Sequence, residues 1–103
     1  MHFCGRWEEL KSLLRKTMPL ARSVFGESHE IMLKMRWTYA QALYKDVGAT
    51  LDDLREAVTT FEDTERTARR VFGGAHPLTA AIEGELRKAR AKLRARETPS
   101  GSA

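Results

Sequence analysis

Cysteine occurs once in the 103 residues, at Cys4, and asparagine not at all. A single thiol cannot close a disulfide within the chain, which excludes a secreted disulfide scaffold. Proline and glycine are scarce, at three and seven residues. No apolar run approaches the roughly 20 residues of a membrane span, and the N-terminus lacks an apolar signal core. A protein of the cytoplasm, without membrane contact, is the expectation. Alternating apolar and polar residues persist nowhere, and no Asn-Gly or Asp-Gly turn joins two β-branched runs, so strands are not expected. Apolar residues, at 42%, suffice for a core, and the length is that of one domain.

The net charge of +4 is unevenly spread. Residues 86–96 (LRKARAKLRAR) hold six Lys or Arg and no acid, which leaves twelve basic against fourteen acidic residues elsewhere. All of the basic excess therefore sits in one C-terminal segment.

Helical spacing runs through the rest. Trp7, Leu10, Leu14, Ala21 and Phe25 predict a helix over 6–25, ended by Gly26. Leu33, Met35, Tyr39, Ala40, Leu43 and Tyr44 predict a second over 29–46. Thr50 followed by Asp53 reads as an N-cap with an acidic first turn, opening a third helix that stops at Gly73-Gly74. Pro77 suits the first turn of a fourth, which carries Leu78, Ile82, Leu86, Ala89 and Leu93 to about residue 97. Pro19 predicts a kink or short break near Lys16 to Met18. Residues 98–103 read as a disordered tail. The fold class is all-α.

The chain also repeats itself. Residues 21–29 (ARSVFGESH) and 68–76 (ARRVFGGAH) agree at six of nine positions, 47 residues apart. The same offset carries Trp7, Leu10, Leu14, Ala21 and Phe25 onto Leu54, Ala57, Phe61, Ala68 and Phe72. A shared offset over a helix, its stop and the next helix's start is the mark of a helical repeat array, about two helix pairs long.

Val24 to His29 and Val71 to Thr79 resemble the "LG-x-x-HP-x-T" joint of tetratricopeptide repeats of the kinesin-light-chain-like type. Tyr39-Ala40-x-x-Leu43-Tyr44 is similar to that family's "LA-x-x-LY" core, and Gly5 to Leu10 to its "G-x-Y-x-E-A" turn. The resemblance implies a short solenoid of antiparallel helix hairpins, four helices in all. They are the second helix of one repeat (6–25), a complete repeat (29–72) and a final helix (76–97). It implies a lengthened turn around Asp46 to Asp52. The places of the family's peptide-clamping asparagines hold Trp37 and Thr38, and Gly84 and Glu85 in the last helix.

No constellation for chemistry stands out. His29 and His76 lack Cys, Asp or Glu at ligand spacing, and their place at helix starts suits bonds to free backbone donors or packing under the preceding aromatic. Glu62 with Arg66 and Glu65 with Arg69 read as helix-surface pairs. No P-loop follows Gly73-Gly74. An enzyme, a cofactor and a metal are not expected; a thiol chemistry at Cys4 would announce itself by rapid alkylation. The expected function is a noncatalytic scaffold for a protein or peptide, or for neighbouring repeats, with self-association through an apolar edge. Trp37 and Thr38 are candidate contacts on the concave face, although packing in the core or against the neighbouring helix pair is the more common fate of an aromatic such as Trp37. Arg87, Lys88, Arg90 and Lys92 are candidates for an acidic partner. RNA binding through them is the alternative function, although no aromatics interleave them.

Overall fold

The structure, a computed structural model, describes residues 2–97 and the side chains from Trp7 onward. The expected disordered tail, residues 98–103, lies outside the described residues, as do the side chains of His2 and Cys4. Four helices and no strands make up the described chain: α1 (His2–Phe25), α2 (Glu30–Lys45), α3 (Leu51–Phe72) and α4 (Pro77–Glu97).

The reason for each boundary is local. α1 and α3 end where Gly26 and Gly73 take φ values of 85° and 92°, a left-handed turn that a side chain would strain. Each of these glycines donates its N–H to the carbonyl four residues back, Arg22 and Arg69, at 2.9 Å. α2 and α4 begin in identical fashion. His29 Nδ1 accepts from the Ile31 N–H, and His76 Nδ1 from the Leu78 N–H, both at 3.0 Å. Each imidazole also lies on the preceding phenylalanine, His29 on Phe25 with ring centres 4.7 Å apart and His76 on Phe72 at 4.5 Å. One sequence motif, V-F-G-x-x-H, thus ends one helix, caps the next and packs a ring pair into the corner between them. Thr50 opens α3 with a reciprocal cap: its hydroxyl accepts from the Asp53 N–H, and the Asp53 carboxylate accepts from the Thr50 N–H.

α1 continues through Pro19 without the short break that is one of the two expected outcomes, the other being a kink. The residue is exposed, so the carbonyl it deprives of a partner is that of the exposed Arg15, within reach of water.

Consecutive helices joined by such short turns return antiparallel and pack on their neighbours. The main interfaces are α1 with α2, α2 with α3 and α3 with α4, with a smaller one between α2 and α4. Among the described residues no comparable interface joins α1 to α4, so each helix packs chiefly on its neighbours in sequence. The core runs through Leu14, Leu33, Leu43, Leu54, Phe61, Ile82 and Leu86. α2 lies at the centre, and its two tyrosines reach in both directions. Tyr39 takes a bond from Arg15 of α1 and gives one to Glu56 of α3, while Tyr44 packs edge-on against Phe61 and bonds to Glu85 of α4.

Candidate interaction surface

The basic segment of α4 divides by helix face. Arg90 turns to α3 and pairs with Glu62 at 2.9 Å. Lys92 donates to the Tyr44 carbonyl at 2.6 Å, in the last turn of α2, where the helix leaves its carbonyls unpaired and partially negative. Arg96 donates to the Ala49 carbonyl in the α2–α3 turn at 3.1 Å. These three cations serve the fold. Among the described residues Arg87 has no such bond and Lys88 only a 3.7 Å pairing with Glu85 on its own helix; with Gly84 and Ala91 they line an open groove of about 400 Å³ along one side of α4. Of the four candidate cations the structure therefore brings Arg87 and Lys88 to one surface, holds the half-exposed Arg90 in a pair with Glu62 and seats Lys92 on the end of α2.

Trp37 and Thr38 stand on α2. Trp37 packs half-buried against the core, with its indole N–H sealed from solvent and without a hydrogen-bond partner. The Thr38 hydroxyl is spent on its own helix, donating to the Lys34 carbonyl at 2.8 Å. Neither lines the groove that holds Arg87 and Lys88.

Between α2 and α4 the dominant polar group is Glu85, whose side chain is only 12% exposed. Burial pushes its carboxyl up. The Tyr44 hydroxyl, Lys45, Gln41 and Lys88 outweigh that and hold it below the ordinary carboxylate range. In return burial, and then Glu85, push the Tyr44 phenol well above its usual value. One of the two places where the resemblance expects a clamping asparagine on α4 thus carries an acid engaged inside the protein.

Several structural residues escaped the sequence reading. Lys11 and Asp46, each 3% exposed, form a buried pair at 3.7 Å that ties α1 to the α2–α3 turn. Asp46 also accepts from the Gly48 N–H at 2.9 Å, and Lys11 pairs with Glu8 at 2.9 Å. Burial would lower the Lys11 ammonium, but the Glu8, Asp53 and Asp46 carboxylates overcome it and hold it above its ordinary value. The repeat offset carried the signal, since it places Lys11 opposite Val58, a core position. Surface pairing needs one correction. Arg69 does pair with Glu65, but Arg66 pairs with Asp63, and Glu62 is taken by Arg90 because it sits on the side of α3 that meets α4.

Among the described residues no group of three or more His, Cys, Asp or Glu side chains is placed to hold a metal ion. No helix among them is long and apolar enough to cross a membrane. The chain matches no protein-family model, no curated protein sequence and no solved structure.

Proposed function

We propose that this chain is a noncatalytic helical-repeat scaffold of the cytoplasm, of the tetratricopeptide type, which binds another polypeptide through its exposed helix faces. The observation that carries the reading is the duplicate joint. Glycine stop, histidine cap, ring pair and helix start recur 47 residues apart with the same atoms bonded at nearly the same distances. A chain that builds the same corner twice adds helix pairs by one rule, and such stacks offer extended surfaces rather than enclosed pockets. The resemblance to kinesin-light-chain-like repeats supports the same reading. The open groove beside Arg87 and Lys88 supports an acidic partner.

RNA binding is the second reading, and the bonds that Arg90, Lys92 and Arg96 already make to Glu62 and to the Tyr44 and Ala49 carbonyls count against it, because half of the six-cation segment is engaged within the fold. Affinity capture with the tagged chain, beside an R87E/K88E variant, tests both. Scaffolding predicts captured proteins that survive nuclease treatment and are depleted in the variant. A catch that nuclease abolishes, or one that both chains share equally, overturns it.

A further inference from the structure

The two ends of the stack complement each other. On α3, Glu56 accepts the Tyr39 hydroxyl of α2 at 2.8 Å, which marks the side that α2 covers. Arg55, Glu62 and Arg69 mark the opposite side, where they meet Glu97, Arg90 and Glu83 of α4. Moved back by 47 residues, the α2-covered side of α3 becomes Glu9, Leu13, Thr17, Leu20 and Val24 of α1. α1 meets α2 through its other side, from which Arg15 reaches Tyr39 and Lys11 reaches Asp46 just beyond α2. Its first side is left open: Leu13, Leu20 and Val24 are 60%, 69% and 74% exposed.

At the far end, α2 shows which side of a first helix receives a second. Leu33, Ala40 and Tyr44 are buried there, with Trp37 half-buried beside them, and Tyr44 touches Phe61 of α3. The same positions on α4 are Ala80, Arg87, Ala91 and Gly84. They form an open face, and a Cβ added to Gly84 would meet nothing within 4 Å.

The two end faces differ in bulk: the first-type helix, α4, has Ala80, Gly84 and Ala91 around Arg87, while the second-type helix, α1, has Leu13, Thr17 and Leu20. The larger side chains of α1 can therefore lie against the small ones of α4. Charge agrees. Arg87 and Arg94 stand on the α4 face and Glu9 on the α1 face, none with an ion pair among the described residues. In an antiparallel pair set like α2 and α3, where Glu56 meets Tyr39, Glu9 falls beside Leu86, next to Arg87.

We propose that the α4 face of one copy receives the α1 face of a second, head to tail, completing between chains the helix hairpin that α2 and α3 complete within one. This rests on the repeat reading but not on the identity of any other partner. The interface is heterologous, so each added copy leaves a fresh α1 and α4 face and the assembly grows as an open row.

Sedimentation of the full chain from about 1 μM to about 1 mM, the range of weak to moderate self-affinities, tests it. The wild type should rise with concentration past the mass of a dimer. L20E, blocked at α1, and R87E/A91E, blocked at α4, should each stay monomeric with unchanged helical circular dichroism, because the replaced side chains are exposed. Mixed, the two variants still hold one open α4 face and one open α1 face, so they should form a one-to-one heterodimer that grows no further. A wild type that stays monomeric throughout overturns the proposal. So does a mixture without heterodimer, or a dimer that L20E abolishes and R87E/A91E preserves, since that is a symmetric α1 contact. None of these outcomes touches capture of other proteins, which stands on its own test.

Discussion

Thr79 keeps a hydroxyl in the core with no hydrogen-bond partner, and the cause is its place in the chain. Thr17, Thr38, Thr64 and Thr67 each donate to the carbonyl four residues back. Thr79 is the third residue of α4, and no helical turn precedes it to offer one. Its repeat counterpart is Met32, apolar and equally buried. Thr79→Val keeps the shape and removes the stranded group, so it should stabilise the protein by about 1 kcal/mol in urea unfolding; a loss of stability would show that the hydroxyl has a partner in solution. Titrating groups give a second expectation. Lys11 and Tyr44 are both held above their ordinary values in the fold, so each contributes stability that is complete below about pH 10 and drains away as pH rises through the folded value. Glu85 is held low, so its contribution is present above about pH 4.3 and is lost as pH falls through the folded value. Urea midpoints should fall on both sides of neutrality, and Tyr44→Phe, which removes the phenol and loosens Glu85, should flatten both limbs. Unchanged slopes would mean that neither group senses folding.

Helix by helix, apolar spacing and stop signals made the elements legible before any coordinates. Gly26, Gly73, Thr50 and Pro77 act on the backbone within a few residues, so a local reading finds them. The joints were legible for the same reason, since the bond from the helix start to His29 or His76 spans two positions. What stayed hidden is the direction in which long polar side chains turn, because that is set by the neighbouring helix. Nothing local separates Lys88, facing the open groove, from Lys92, seated on the end of α2. Lys11 is charged, and only its alignment with Val58 marks a core position. The division within α4 can be measured. Lys92→Met removes a charged donor from carbonyls that have no other helical partner and should cost about 1 kcal/mol; Lys88→Met, losing a half-exposed contact with Glu85 at 3.7 Å, should cost little. Equal losses would show that α4 is held by charge in bulk rather than by seated bonds.

Across the whole molecule, stability should be graded along the stack. In a one-dimensional array each helix owes its stability to the neighbours it touches, so the ends open before the middle. The two ends here are not equal. α4 is fastened by Arg90 to α3, by Lys92 to the end of α2 and by Arg96 to the α2–α3 turn, besides burying Leu78, Ile82, Leu86 and Ala89. Among the described residues α1 has one main interface, with α2, a buried ion pair with Asp46 and the Arg15–Tyr39 bond, and a leucine stripe open to water on its other side. Tyr39, Leu43 and Tyr44 of α2 are enclosed from both directions, so that helix should exchange its amides slowest. Native-state hydrogen exchange, read on peptides from a dilute sample in which copies do not meet, should therefore show α1 opening first, α4 next, and α2 with α3 only on global unfolding. At high concentration α1 should gain protection if a second copy covers Leu13 and Leu20, and α4 should gain it in step. One opening rate for all four helices would contradict the graded stack, because a closed core cannot release a single outer helix without losing the rest.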